Sequence, residues 1–256
     1  MAFVLLEEYA GLSREAIFLD PDAGIEPSSA LFDALEQLYT HRPLQYVLGH
    51  AEFCGLVFAV NEDVLIPRPE TEELVEWISR EWKGRPVRIL DIGTGSGAIA
   101  VALAKKLTEA MVSAVDISEK AILMAAANAA GNAVQVSFAV CDILNGKPEG
   151  KFDVIVSNPP YVRHSEQEFM RKNVLDYEPG NALFVPDDDP LLFYRRIAGL
   201  GREMLNEGGA LYFEINEAFG NETVRLLTEL GYSQIEIRAD ILGKERMVKG
   251  IVHPNV

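Results

Sequence analysis

The sequence predicts a doubly wound α/β fold: a mostly parallel sheet with an antiparallel last strand, preceded by a small helical appendage and a β-hairpin linker. Three observations predict it. From Val87 onward, short apolar runs alternate with stretches of helical periodicity. The first run ends in a glycine-rich turn, Asp91-Ile92-Gly93-Thr94-Gly95-Ser96-Gly97, that opens a helix. The last connection, Ala239 to Arg246, is too short for a helical crossover, so the final strand must reverse direction.

Taken in order, residues 1–42 read as a helical segment. Ser13 opens one short helix, and Ser28 to Tyr39 forms a second, with Leu31, Ala34, Leu35 and Leu38 on one face. Asp20-Pro21-Asp22-Ala23-Gly24 is the loop between them. Two short helices bury little by themselves, so the segment is an appendage on a larger body. Residues 43–69 read as a β-hairpin linker, with strands at Tyr46–Gly49 and Phe53–Val60 punctuated by glycine. Ile66-Pro67-Arg68-Pro69-Glu70-Thr71 is a stiff extended segment leading into a helix with Leu74, Val75 and Ile78 on its apolar face.

Residues 70–256 form the main domain. Strands are expected at Val87–Asp91, Met111–Val115, Val134–Val140, Phe152–Ser157 and Ala210–Ile215. The helices between them span Ala98–Leu107, Ser118–Ala130 (stopped by Gly131), a stretch capped by Asp189 and started by Pro190 and ending near Asn206–Gly209, and Glu217–Leu230. Gln234–Arg238 and Met247–Val252 form the closing pair.

The central strand stops at two prolines. Val154, Ile155 and Val156 are β-branched and consecutive, as in a parallel strand covered on both faces. Pro159 and Pro160 lack N–H donors and end the ladder. The residue before a proline is pushed toward an extended conformation, which holds Asn158 at the strand's carboxyl edge, where open α/β sheets bind ligands. An amide, donor-free carbonyls and the Tyr161 ring converge there; the alternative for Asn-Pro-Pro alone is a strand-terminating turn.

The glycine turn lets a nucleotide-sized ligand lie against the backbone, involving Gly93, Thr94, Gly95, Ser96 and Gly97. Gly93, Gly95 and Ala98 also fit a dinucleotide fingerprint, so the turn alone does not separate NAD from S-adenosylmethionine. Asp116, ending the second strand, suits the two ribose hydroxyls, with a helix cap before Ser118 as its alternative. Asp142, beside Ile143 at the end of the third strand, suits an adenine amino group; its alternative is a turn-forming Asp.

Composition narrows the partners. The chain has 256 residues, 48% hydrophobic and 24% charged, as in ordinary globular proteins. With 23 basic against 39 acidic residues its net charge is −16, which disfavours free DNA, since phosphate backbones are held by Lys and Arg. Cys54 and Cys141 lie far apart and no histidine spacing suits a metal, so no metal site is expected and a reducing, cytoplasmic compartment is. The opening residues turn acidic too soon for a secretion signal, and no run is long enough for a membrane span.

Asp91 to Gly97, Asp116, Asp142 and Asn158-Pro159-Pro160-Tyr161 resemble the motif series of Rossmann-like class I S-adenosylmethionine-dependent methyltransferases acting on planar nitrogen. Pro43-Leu44-Gln45-Tyr46-Val47-Leu48-Gly49, Ile66-Pro67-Arg68-Pro69-Glu70-Thr71-Glu72 and Tyr177-Glu178-Pro179 resemble, within that group, the HemK/PrmC family. That family comprises the protein N5-glutamine methyltransferases acting on the Gly-Gly-Gln motif of class I peptide chain release factors. The resemblance covers Leu44 to the C-terminus. It implies S-adenosyl-L-methionine as cofactor and a release factor as protein partner, with residues 1–42 docking the substrate or serving as a plain stabilising cap; a monomer is expected. It also implies that Asn158 and the Pro159 carbonyl accept hydrogen bonds from the target amide, that Pro160 and Tyr161 complete the catalytic motif, and that Glu70 and Thr71 lie over the methionine end of the cofactor; the alternative for the last pair is a hairpin-to-helix junction with Thr71 as a cap. The rivals are a DNA adenine-N6 methyltransferase, which would carry a basic recognition region, an NAD-binding oxidoreductase, and a catalytically silent scaffold.

Overall fold

The computed structural model describes residues 2–20, 24 and 28–252. The middle of the expected loop at Pro21, Asp22 and Ala23 lies outside the described residues. Among the described residues three helices, not two, precede the linker: α1 (Ala2–Ala10), α2 (Arg14–Leu19) and α3 (Ser29–Tyr39). Ser13 and Ser28 cap α2 and α3 through their hydroxyls, accepting from Ala16 N and Leu31 N at 3.2 Å each. With no acidic residue in its first turn, α1 lacks that start signal.

The linker corrects the expected strand at Tyr46–Gly49. These residues belong to a one-turn helix, α4 (Leu44–Leu48), set between Pro43 and a left-handed Gly49. Leu44, Val47 and Leu48, at helical spacing, pack with Leu5, Leu31 and Ala34 of the appendage, while Tyr46 turns the other way and its hydroxyl donates to Val64 O at 2.6 Å. The hairpin follows one step later than expected, as β1 (His50–Phe53) and β2 (Leu56–Ala59). Its two-residue turn, Cys54-Gly55, has positive φ at both positions (52° and 71°), the geometry that matches strand twist.

A second correction concerns Glu70 and Thr71. They lie in the first turn of α5 (Pro69–Trp82), not in an extended segment. Proline is favoured at the first helical position, where its missing N–H costs nothing, and Glu70 and Glu72 suit the positive end of the helix.

The main domain is a seven-stranded sheet built from β3 (Arg88–Ile92), β4 (Met111–Asp116), β5 (Ser137–Val140), β6 (Phe152–Ser157), β9 (Leu205–Glu214), β10 (Tyr232–Ala239) and β11 (Glu245–Val252). Its order is β10-β11-β9-β6-β3-β4-β5. The neighbours from β9 through β5 pair in parallel, and β11 runs antiparallel to both β9 and β10, as the short last connection required. On one face α5, α6 (Ala98–Lys106) and part of α7 (Glu119–Gly131) cover Ile89, Val154 and Val156. On the other, α9 (Leu192–Met204) and α10 (Gly220–Glu229) cover Leu90, Ile155 and Leu211. The two-residue alternation along β3 and β6 is what lets one strand feed both cores.

Other boundaries move for local reasons. β5 begins at Ser137 rather than Val134, because left-handed Ala133 turns the chain out of α7 and the ladder with β4 engages only from Ser113↔Ser137. α9 starts at Leu192, with Asp189 not its cap; its carboxylate instead pairs with Arg195 at 3.0 and 2.8 Å. β9 takes over directly at Leu205, and Asn216, capping a short 3-10 turn at Glu217–Phe219, shortens the last helix. Between Tyr161 and Asp189 the chain makes a parallel pair, β7 (Val162–Arg163) with β8 (Phe184–Val185), and a one-turn helix α8 (Lys172–Leu175). Among the described residues no helix is long and apolar enough to cross a membrane.

The chain leaves β3 toward β4 and β5, then returns to β6 on β3's other side. The crevice at the carboxyl ends of β3, β4 and β6 is therefore the topological switch point, the place where such sheets bind ligands.

Candidate active site

A cavity opens at that switch point. It is lined by Gly93 and Gly95 from the glycine turn, Asp116 and Ile117 after β4, Asp142 and Ile143 after β5, and Asn158, Pro159 and Pro160 after β6. Phe193 and Ile197 of α9 close its apolar side. Of the expected site residues, Thr94, Ser96, Gly97, Tyr161, Glu70 and Thr71 are not part of this lining.

The glycine turn is held from within. Gly93, Gly95 and Gly97 have φ of 73°, 54° and 82°, a region that L side chains rarely enter. A Cβ at Gly97 would sit 2.9 Å from that of Ala125, so this glycine also lets α6 and α7 approach. Gly93 and Thr94 both donate their N–H to Val115 O, Gly97 donates to Thr94 O, and Gly95 donates to the Asp116 carboxylate at 2.8 Å. Buried Ser96 gives its carbonyl to Asn128 Nδ2 at 2.8 Å. Asn128 also bonds both backbone groups of Ala59, so one side chain ties the hairpin to the turn.

These donors bear on which ligand fits. A phosphate-binding turn aims free N–H groups at its anion, whereas four of these are spent inside the protein. The cavity is then lined by three acidic residues, Asp63, Asp116 and Asp142; Asp63 pairs with Lys120 at 2.9 Å, and the carboxylates of Asp116 and Asp142 would repel a pyrophosphate. Two acidic acceptors and the apolar walls of Ile117, Ile143 and Phe193 suit a nucleoside that carries positive charge rather than phosphate.

Asp116 uses its second oxygen to accept from Ser118 N at 2.9 Å, while Ser118 itself caps α7. A carboxylate has about four acceptor positions, so two remain for ribose hydroxyls. Asp142 accepts from Asn145 Nδ2 at 2.7 Å and Leu144 N at 3.0 Å, and these bonds hold it below the usual carboxylate range.

Asp91, at the base of the turn, is fully buried; one oxygen accepts from Thr94 Oγ1 at 2.6 Å and the other has no partner. Burial pushes its carboxyl up to about 7, opposed by the Thr94 bond and reinforced by the Asp116 charge. Between its ordinary value of 3.8 and about 7 the folded chain therefore binds a proton that the unfolded chain has released. Stability contributed by this group falls as pH rises through that window and is level above it. Thermal melts of the ligand-free protein at pH 5 and pH 8 should show the wild type losing ground to Asp91→Asn at the higher pH. Equal shifts in the two proteins would remove Asp91 as the source.

At the end of β6, Ser157 Oγ donates to Ile92 O at 2.7 Å, stitching β6 to β3 beside Asn158. The Asn158 amide donates through Nδ2 to Thr71 Oγ1 at 3.3 Å, and Thr71 donates to Glu214 Oε2 at 2.6 Å. The Tyr161 hydroxyl donates to Glu214 Oε1 at 3.1 Å. Tyr161 is half-buried, and burial and the Glu214 charge push its hydroxyl up, so it stays a donor. Glu178 is also buried, but it serves the linker: it accepts from Arg68 Nη2 at 2.7 Å and from Ile66 N at 3.3 Å.

Comparison with known proteins places this geometry. A model of the methyltransferase small domain matches residues 70–179. Over 254 residues the chain is 47% identical to a protein named release factor glutamine methyltransferase from Flavobacterium psychrophilum, covering 96% of this chain and 89% of that one. This chain belongs to the release factor glutamine methyltransferase family. Another member, from Bacteroides thetaiotaomicron, is 50% identical over 214 residues, covering 83% of this chain and 77% of its own. The sheet has the Rossmann-like class I methyltransferase fold: a methyltransferase structure from Pyrococcus furiosus superposes with a TM-score of 0.57 over 87% of this chain and 99% of that one, at 21% identity.

Two residues of this family member escaped the sequence reading. Asn128 looks like any polar residue on a helix, and nothing in its spacing points to the hairpin. Glu214 did leave a signal: it is a lone acid ending the apolar run Leu211-Tyr212-Phe213 at a carboxyl edge. Glutamates are rarely buried unless paired.

Proposed function

We propose that this chain transfers a methyl group from S-adenosylmethionine to the side-chain amide nitrogen of the glutamine in the Gly-Gly-Gln motif of class I peptide chain release factors, in the cytoplasm. The single observation that carries the reading is the proximity of Asn158-Pro159-Pro160 to the glycine turn and Asp116 around one cavity. Bound there, S-adenosylmethionine supplies an electrophilic methyl on a positively charged sulfur. Asp116 holds the ribose, Asp142 and Ile143 the adenine, and Gly93 and Gly95 give the backbone clearance.

The protein's own task is alignment. An amide nitrogen is a poor nucleophile, because its lone pair is delocalised into the carbonyl. Asn158 Oδ1 and the Pro159 carbonyl accept the two N–H bonds of the glutamine, leaving the nitrogen's remaining face toward the cofactor. Pro160 contributes no N–H to compete, and Tyr161 shields the amide from water. No base is needed before attack, since methylation itself makes the nitrogen acidic and it gives up one proton to solvent afterwards.

The helices of residues 1–42 and the hairpin linker form the substrate-docking side. Support comes from the bonds that fix them to the loop after Tyr161: Tyr177 Oη donates to Thr40 O at 2.9 Å, and Arg68 pairs with Glu178.

The test is labelled methyl transfer offered in parallel to purified release factor, to its Gln→Ala version and to DNA. Label should enter the first alone. Label in DNA, or in the Gln→Ala factor to the same extent, would overturn the reading.

A further inference from the structure

We infer that Glu214 is a positioning residue that sets the orientation of the Asn158 amide through Thr71 and, by its second oxygen, anchors Tyr161. The inference rests on the proposed function and extends it to a residue outside the cavity lining. Glu214 ends β9 and is only 2% exposed. Burial raises its pKa, while its two hydroxyl bonds and the nearby Arg246 charge act the other way. A carboxylate in such a place is unfavourable unless hydrogen-bonded, and its two oxygens are met by two different side chains, Thr71 at 2.6 Å and Tyr161 at 3.1 Å.

The directions of these bonds carry the argument. A carboxylate only accepts, so Thr71 must point its proton at Glu214. The Thr71 oxygen then has only lone pairs left for its other neighbour, and that neighbour must present a donor. Asn158 presents Nδ2, at 3.3 Å. An asparagine amide with its nitrogen committed has its oxygen as the group left for the cavity it lines. That is the polarity needed to accept from a glutamine NH2. Had Thr71 been free to reverse, its hydroxyl could donate to Asn158 Oδ1 and turn the amide nitrogen toward the substrate's own N–H donors. A buried carboxylate two bonds away prevents this, and the same carboxylate fixes Tyr161, three residues further along the motif.

This also reassigns Thr71. It was expected over the cofactor, yet it is 5% exposed, its hydroxyl is spent between Glu214 and Asn158, and it does not line the cavity.

The experiment measures kcat and KM for release factor methylation together with the Kd of S-adenosylmethionine, for wild type, Thr71→Val, Thr71→Ser, Glu214→Gln and the double variant Thr71→Val/Glu214→Gln. Thr71→Val and Glu214→Gln should each lose roughly tenfold or more in kcat, as removal of an aligning hydrogen bond does, with KM and Kd within about twofold. Thr71→Ser, which restores the hydroxyl, should stay within about twofold of wild type in all three. Because both residues act along one chain of bonds, the double variant should be no slower than the slower single variant. Unchanged kcat in Thr71→Val, multiplication of the two losses, or a Kd that rises in step with the loss of kcat would each overturn the inference. If Thr71→Val gives no cooperative melt, Glu214→Gln, which keeps the shape, decides by the same kcat and Kd criteria. An inactive wild type would refute the proposed function instead.

Discussion

Asn158→Ala should bind S-adenosylmethionine within about twofold of wild type while methylating release factor slower by a factor on the order of a hundred or more. The asymmetry follows from where the side chain sits. Asp116, Asp142 and the glycine turn hold their geometry through bonds that do not involve Asn158. The cofactor side of the cavity therefore keeps its shape. What disappears is the acceptor that holds the target NH2 in place and aims its lone pair. Pro159 still offers its carbonyl, so the glutamine can bind by one N–H but is free to rotate about it, and misplacement of a reacting atom by about 1 Å costs about a hundredfold. Isothermal titration with the cofactor and single-turnover methyl transfer read the two quantities separately. Comparable losses in both would recast Asn158 as a cofactor ligand and leave the reaction without its aligning group.

The sheet was legible because its signals are local. Each parallel strand is a short apolar run, each helix has a periodic face, and the length of the last connection dictates its antiparallel hairpin. The misreadings fall where a short apolar stretch suits two periods. Leu44–Leu48 is five residues of strand-like composition, and only the partners of Leu44, Val47 and Leu48 in the appendage decide for helix. Likewise α1 has no acidic first turn to announce it, and Ala133, just past α7, takes a left-handed conformation that composition does not foretell.

The site divides the same way. Residues that line the cavity from a turn at a strand's carboxyl end, Gly93, Gly95, Asp116, Asp142 and Asn158, could be placed by counting strands. Thr71 and Glu214 could not be joined to Asn158 in that manner, because the three come from α5, β9 and the end of β6, separated by 87 positions between Thr71 and Asn158 and 143 between Thr71 and Glu214. The pairing of β6 with β9, in register at Ser157↔Phe213, sets Asn158 beside Glu214, and the stacking of α5 on the sheet brings Thr71 to both. The polarity of a hydrogen-bond chain is a property of that packing, and a one-dimensional reading holds no record of it.

Asp116→Ala should raise the Kd of S-adenosylmethionine by a factor on the order of ten to a hundred, since each hydrogen bond to a charged group contributes roughly 1.5–3 kcal/mol. Two losses combine. The ribose hydroxyls lose their acceptor, and the turn loses the bond from Gly95 N that the carboxylate now receives at 2.8 Å. Asp116→Asn separates them: one amide oxygen still accepts from Gly95 or Ser118, but its NH2 cannot accept from a hydroxyl. Its Kd should therefore fall between wild type and alanine. Once cofactor is saturating, kcat should recover to within a few-fold in both variants, because the Asn158–Thr71–Glu214 chain does not pass through Asp116. A Kd unchanged in Asp116→Ala would contradict its place at the ribose. A kcat that stayed depressed at saturation would mean instead that the glycine turn and the amide site are mechanically one unit, with Ser157 Oγ on Ile92 O as the link between them.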